Sequence, residues 1–483
     1  MSDPRNRNLT APGSEAEEAG SLAIVLHSHM PYVEGFGTYP FGEEWLFDAA
    51  ARSYLPLLEI VRDLTMTVTP VLADQLEANG VRERLAAFIR RHRLEAAEME
   101  AVLAVPATRP AALAEADRYR RGLELLGSLG GDLIGGFRSA TRERNLTLLP
   151  SSATHAVLPL VATDAGRRLQ IDAGLRSHRR RFGPSDGFWL PECAYEPGLE
   201  ALLAERGVRF FCVDQSSHEN EAAALRPVAT GAGPVAFTID WPTVELAWSW
   251  GGYPSDPCYA EFHRKSMQGI RLWSIDGEPH DPERASERAR EQAGEFVAAV
   301  AARLRDHRAR AGSEGLVVFA IDTELLGHWW SEGPTWLEEV LARAPGEGVR
   351  LVNLERALAD HDAEQRPLRA ASWGERKDLS TWDSRPVADL AWAARRLELR
   401  LLRGLSENGI SEPAAERAAR ELMAVQSSDW AFLDERGQAG DYAYQRATDH
   451  SRALLEAIDS ATPPDPRMRN LAPDMSLAPL REP

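Results

Sequence analysis

Seven short apolar runs are spaced along the chain, at 22–27, 65–70, 146–149, 187–190, 208–213, 316–321 and 349–352, and stretches with helical periodicity separate them. Strand-helix alternation of this kind joins neighbouring strands in parallel, because each crossover must return the chain to the same edge of the sheet. One run, GLVVFAID (315–322), is apolar almost throughout, as a strand covered on both faces must be. Seven such strands fit a closed (β/α) barrel. An open doubly wound sheet reads much the same from sequence alone.

In either architecture chemistry collects where the strands end. Glu192 follows GFWLP, in which Pro191 stops the strand, and Trp189 and Tyr195 flank it. A capping glutamate on a loop is the plainer account of such a residue. Asp322 is the first charged residue after GLVVFAI, and Glu324, two residues on, is its understudy. His27 and His29 lie two apart at the end of the first run and so share one face. They suit hydrogen bonding to hydroxyl-rich ligands. With His155 and Asp322 they also suit a metal, and a metal-dependent polysaccharide deacetylase is the rival that this reading implies. The early pair of aspartates expected of such an enzyme is missing. His155 is read in the first turn of a helix beginning near Ser151 or Ser152. Glu43 and Glu44 are helix-capping acids, with Pro40 near the first turn, and Trp45 faces either the cleft or the core.

Composition removes other classes. The formal net charge is −18, so nucleic acid and anionic membrane are poor partners, whereas a neutral polymer meets no repulsion. No apolar run approaches membrane-spanning length. The three cysteines (Cys193, Cys212, Cys258) show no metal spacing and leave an odd thiol, which fits a reducing cytoplasm. Thirteen tryptophans, several beside the motifs, suit sugar stacking or core filling equally.

The expected organisation is a polar, disordered tail over 1–20, a barrel over 21–362, a helical domain over 363–461 and a second disordered, Pro-rich tail over 462–483. Within the barrel, about 75–144 reads as a helical insertion. About 234–276 reads as strands joined by a long excursion, whose aromatic content marks it as a lid or binding loop. Gly251 and Gly252 give its rise freedom, Pro254 and Pro257 stiffen it, and Tyr253 is the residue best placed to swing over a cleft, with Tyr259 as alternative.

The blocks LHSHMPYVEGFGTYPFGEEWLF (26–47), SSATHAVLPL (151–160), GFWLPECAY (187–195) and AIDTELLGHWWSEG (320–333) together resemble glycoside hydrolase family 57. Within it they are most similar to the 1,4-α-glucan branching enzymes of actinobacterial type, over about 21–461. The resemblance implies a distorted seven-stranded barrel with helical insertions and a C-terminal all-helical domain. It implies Glu192 as nucleophile and Asp322 as general acid/base, with no metal or cofactor. His27, His29 and His155 become substrate contacts, as do Tyr253 on its loop, Trp273, and Trp373 and Trp382 in SWGERKDLSTWDSRP. Gln426, Asp429 and Trp430, in LMAVQSSDWAFL, would line the groove, although interdomain packing also explains Trp430. The implied partner is an α-glucan and the implied state a cytoplasmic monomer. The physics of the residues leaves open whether the chain is transferred to a 6-hydroxyl (branching), to a 4-hydroxyl (4-α-glucanotransferase) or to water (α-amylase).

Overall fold

The computed structural model describes residues 18–217, 225–407, 409–460, 462 and 464–482. Most of the expected N-terminal tail therefore lies outside the described residues. Strand β1 (Gly20–Ser28) is buried along its whole length and forms the centre of the sheet. Strand β2 (Thr65–Val68) pairs with it on one side, and β3 (Thr147–Leu149) pairs with β2. Strand β4 (Gly187–Phe188) follows β3 through a backbone hydrogen bond from Trp189 N to Pro150 O of 2.8 Å. Strands β5 (Phe210–Val213) and β6 (Val235–Thr238) extend the same parallel order. Asp240 N then reaches Val318 O at 2.8 Å on β7 (Leu316–Asp322), which pairs with β1 and closes the ring.

The ring thus holds seven parallel strands, but one of them is not among the seven apolar runs. Residues 349–352 do form a strand, β8 (Val349–Leu351), yet it pairs only with Gly20–Leu22 of β1, below the end of β2. Its place in the ring belongs to β6, the first piece of the excursion. Its four residues, three of them buried, are too few for a periodic signal to place that strand in the ring. Gly187 shows how closely the elements pack: a Cβ there would lie 2.4 Å from the Phe210 ring.

The segment after β2 is helical, from Pro70–Leu76 through Arg109–Ser128 to Leu133–Glu143. The excursion continues as helix Trp241–Trp248 and a series of turns that ends at helix Pro282–Ala311. C-terminal to the barrel, helices Ala388–Ser406, Glu412–Val425, Ser428–Glu435 and Tyr442–Asp459 pack around the second of these, whose buried side includes Leu422 and Met423.

The Pro-rich end is not a free tail. Met468, Leu471, Leu477 and Leu480 are buried in the same apolar cluster as Leu422 and Leu454. Ala472 N donates to Asp74 Oδ2 (2.8 Å), and Asp74 also accepts from buried Arg181 (2.6 Å). Prolines at this spacing suggest disorder, but the apolar residues between them suffice to dock the segment without regular structure. Among the described residues no helix is long and apolar enough to cross a membrane.

Candidate active site

The register of the central strands assembles one wall of the site. His27 on β1 is level with Asp322 on β7 and with Thr67 on β2. Side chains level with one another in a parallel sheet project to the same face, so imidazole, carboxyl and hydroxyl meet at the C-terminal edge of the ring. His29, two residues on, follows them. The opposite wall comes from two turns held in the left-handed backbone region, where Glu192 and His155 each have φ of 59°. For a residue with a side chain this conformation costs about 1–3 kcal/mol and persists only where the surroundings impose it. Here Pro191 and the buried Cys193 fix the turn of Glu192. His155 N donates to Ser152 O, and His155 O accepts from Ser428 N.

The walls are tied by one chain of hydrogen bonds. Thr67 Oγ1 meets His27 Nδ1 at 2.6 Å, and His27 Nε2 meets His155 Nε2 at 3.0 Å. His155 Nδ1 meets Ser428 Oγ at 2.8 Å, and Ser428 donates to Glu192 Oε1 at 2.9 Å. Beside this chain, His29 Nε2 bonds Asp429 Oδ1 at 2.9 Å and its Nδ1 meets Thr69 Oγ1 at 3.1 Å. The His29 ring stacks on His155 with centroids 3.9 Å apart, and the His27 ring stacks on Trp189 at 4.8 Å. Trp373 packs edge-on to Trp189 (5.2 Å), and its backbone N–H donates to Glu192 O (2.7 Å). Ser428 and Asp429 open the helix Ser428–Glu435, so the C-terminal helices complete a site that the barrel begins.

Burial sets the protonation states. It drives His27 and His155 well below the ordinary imidazole range, helped by the neighbouring imidazoles, so both are neutral. Burial also opposes a charge on His29, but the carboxylates of Asp429, Glu192 and Glu324 outweigh it and raise the group. Burial pushes Glu192 up to about 7; the Ser428 hydroxyl works against that rise and the Asp322 charge adds to it. Burial lifts Asp322 to about 6. Glu324 goes up to about 8, through burial and then the charge of Asp322. Near neutrality Glu324 is therefore protonated. Its Oε1 is occupied by the Tyr54 hydroxyl and by His29 N at 3.2 Å. Glu324 braces the site and is a poor substitute for Asp322. Among the described residues no side chain hydrogen-bonds the Asp322 carboxyl, which leaves it open to the cleft.

The imidazoles are committed to protein partners, which bears on the metal-dependent rival. Both nitrogens of His27 and both of His29 are bonded as above, and among the described residues no cluster of three or more His, Cys, Asp or Glu is arranged to hold a metal ion.

The other expected contacts divide. Trp373 and Asp429 reach the site. Trp382 is buried among Val157, Ala194 and Val387, one layer behind it. Gln426 accepts from Gln170 and donates to Glu398 (3.0 Å each), and so ties the helical domain to the barrel. Trp430 is core: it is 1% exposed and its indole N–H is spent on Ala424 O at 2.7 Å. Trp273 lies under the Arg264 guanidinium (4.4 Å), beside Ile270 and Leu272. Tyr253 does not reach the carboxylates in this structure. Its half-buried ring faces Trp336 at 6.2 Å on the outer helices, where apolar surface is available to it. Tyr259 is fully buried and donates to Gln292 Oε1 (2.5 Å). His155 sits in a turn rather than in a helix, because its left-handed backbone cannot continue one. Pro40 precedes the helix Glu43–Ala49 instead of opening it; Glu43 pairs with Arg84 (2.7 Å), and Trp45 packs against Phe41 and Tyr442. Sequence does not single out Ser428, although it adjoins Asp429; a serine at a helix start reads as a cap, and nothing local reveals its long-range partners.

Comparison with known proteins gives the same outline. Residues 23–236 match glycosyl hydrolase family 57, and residues 389–472 match the family described as "1,4-alpha-glucan branching enzyme, C-terminal". The chain is 34% identical to the 1,4-alpha-glucan branching enzyme of Thermococcus kodakarensis, over 90% of this chain and 72% of that one. It is also 34% identical to a Mycobacterium tuberculosis protein named "Probable 1,4-alpha-glucan branching enzyme", over 90% and 91% of the two chains. The crystal structure of the Thermococcus enzyme superposes with a TM-score of 0.89 at 31% identity, covering 96% of both chains. That of a family 57 branching enzyme from Pyrococcus horikoshii gives 0.88 at 29% identity, covering 96% and 97%.

Proposed function

The chain belongs to glycosyl hydrolase family 57, and from that premise we propose that it is a retaining 1,4-α-glucan branching enzyme with Glu192 as nucleophile and Asp322 as general acid/base. The observation that carries the roles is an asymmetry between two carboxyl groups at strand ends on opposite walls of the site. Glu192 receives a hydroxyl donor from Ser428, which favours its anion, whereas Asp322 stands without a protein hydrogen bond among the described residues and is free to pass a proton.

In the first half-reaction a carboxylate oxygen of Glu192 attacks the anomeric carbon. The bond from that carbon to O4 breaks as Asp322 gives O4 its proton. In the second half, Asp322 takes the proton of an incoming 6-hydroxyl, O6 attacks the same carbon, and Glu192 leaves as carboxylate. Two inversions give net retention, and no cofactor enters the balance. With Glu192 near 7 and Asp322 near 6, the free pair holds about one proton in the interval between them, and it resides mainly on Glu192. Attack needs that proton on Asp322, and moving it costs about 1.4 kcal/mol for one unit of difference. A proton on His29 favours the Glu192 anion. The neutral His27 and His155, whose ring nitrogens are taken by Thr67, by each other and by Ser428, hold the hydrogen-bond chain that ends on Glu192.

The substrate is an α-glucan such as amylose, glycogen or a methylated glucose polysaccharide. The thiols of Cys193, Cys212 and Cys258 are unpaired, which supports a cytoplasmic location. A monomer suffices for the site as built. Product analysis after incubation with amylose tests the reading. New α-1,6 linkages support it. Reducing ends alone would mean an α-amylase, redistributed linear chains a 4-α-glucanotransferase, and chelator-sensitive acetate release from an acetylated glycan the deacetylase.

A further inference from the structure

The loop that follows the acid/base strand carries an aromatic residue with no task in the reaction as described. Trp329 lies seven residues beyond Asp322, and 46% of its surface is exposed. Exposure alone does not set it apart, since Trp250 and Trp392 are more exposed; its place on the strand-end loop and the firmness with which it is held do. It is also held still. Trp329 N donates to Glu324 O at 3.0 Å, and Gly327 N to Trp330 O at 2.8 Å. Three arginines, Arg52 and Arg271 buried and Arg118 half-buried, grip the same loop. Arg52 donates to Gly327 O (3.1 Å) and Ser331 Oγ (2.9 Å), Arg118 to Ser331 O (2.7 Å) and Arg271 to His328 O (2.5 Å). Gly327 has φ of 105°, and a Cβ there would strike Arg52 O at 2.0 Å, so the loop is shaped around this grip.

The excursion supplies the other half. Phe262 stacks on Trp329 with ring centroids 4.3 Å apart, and the Arg271 and Lys265 cations lie over the Phe262 ring at 4.8 and 4.9 Å. Arg271 therefore fixes both aromatics, one through the loop backbone and one through its ring. A rigid indole backed by a second ring, with the remainder of its surface open, is a stacking platform that loses little entropy when a flat apolar ligand face settles on it. The two faces of a glucopyranose ring carry mainly C–H groups and fit that description.

We infer that Trp329, backed by Phe262, is a glucan-binding subsite remote from the cleaved bond, which holds the chain by stacking on one of its sugar rings. The inference rests on the α-glucan reading above and adds to it a residue that controls affinity for long chains. Phe262 and Arg271 act through Trp329 and are positioning residues.

The test compares the parent, Trp329→Ala and Trp329→Tyr, each carrying Glu192→Gln so that ligands are bound without turnover. Titration calorimetry with maltotriose, maltoheptaose and short amylose reads the affinities. Trp329→Ala should weaken amylose about tenfold, with a loss that grows with chain length, and Trp329→Tyr should recover most of it. In the active background the Ala variant should raise KM for amylose by more than it lowers kcat. Unchanged amylose affinity in the Ala variant overturns the inference. So does a folded Tyr variant as weak as the Ala variant, since a stacking ring would then not be what binds. If the Glu192→Gln parent binds amylose but the active enzyme, with Glu192 intact, forms no branches, the proposed activity falls and the subsite stands. A parent that binds no glucan removes both.

Discussion

Ser428→Ala removes a single oxygen that links His155 to Glu192, and its effect can be worked out in advance. The lost hydrogen bond goes to a carboxylate in a buried setting, where such bonds contribute about 1.5–3 kcal/mol. Nothing replaces the donor for Glu192 Oε1, because the nearest alternative, His155 Nδ1, stands 3.7 Å away. At 1.36 kcal/mol per pH unit, the Glu192 ionisation rises by about 1–2 units. It starts at about 7, raised by burial and held back by this hydroxyl. Near pH 7 the anion would then fall from about half of the molecules to about 1–10%, and kcat/KM should drop about 5- to 50-fold. Above the shifted value the loss should largely disappear. The assay is kcat/KM on amylose across pH 5.5 to 9.5, with circular dichroism to confirm folding. An acid limb that stays where the parent has it, or a loss equal at every pH, would refute the claim that Ser428 works by ionising Glu192.

Replacing Glu192 itself should stabilise the fold at high pH. A carboxyl whose folded value lies above its unfolded one contributes least when ionised, so Glu192→Gln should gain up to about 3 kcal/mol over the parent at pH 8 relative to pH 5; chemical denaturation at both pH values checks this, and a gain independent of pH would contradict it. Glu192→Ala should be rescued by azide to give a β-glucosyl azide, and Asp322→Ala should give the α product from activated substrates; NMR of the products reads the configuration, and the reverse result would exchange the roles. Tyr253→Ala should lower stability by about 1–2 kcal/mol, since a half-buried ring against Trp336 is removed, and leave the ratio of branching to hydrolysis unchanged; a reduced ratio at unchanged Tm would restore a role for this tyrosine over the cleft.

The strands that carry chemistry were readable because their signals are local. β1 and β7 are long and apolar, and each ends abruptly in a titratable residue. That two-part pattern points to His27 and Asp322 without any knowledge of neighbours. Glu192 was readable through Pro191, which stops its strand. What stayed hidden depends on partners far away in the chain. β6 is four residues long and gains its place only from β5 and from closure onto Val318. Ser428 acquires its role from Glu192, 236 positions away. The docking of Leu471 and Leu480 depends on a groove built by helices elsewhere in the chain, among them those of Leu169, Leu401, Leu422 and Leu454. Trp430 and Trp273 illustrate the opposite limit, since an indole beside a motif reads alike whether it faces ligand or core.

The helix that begins at Ser428 has a bearing on how the protein is made. While residues 428 and 429 are still within the ribosome, every strand of the ring has already emerged. His29 then has no counter-ion from Asp429, and Glu192 has no hydroxyl donor. The nascent chain is thus a barrel whose nucleophile lacks the donor that favours its anion, and that donor arrives only when the C-terminal helices have been synthesised and docked. A chain cut short before Ser428 therefore enters solution with its nucleophile mostly protonated near neutrality.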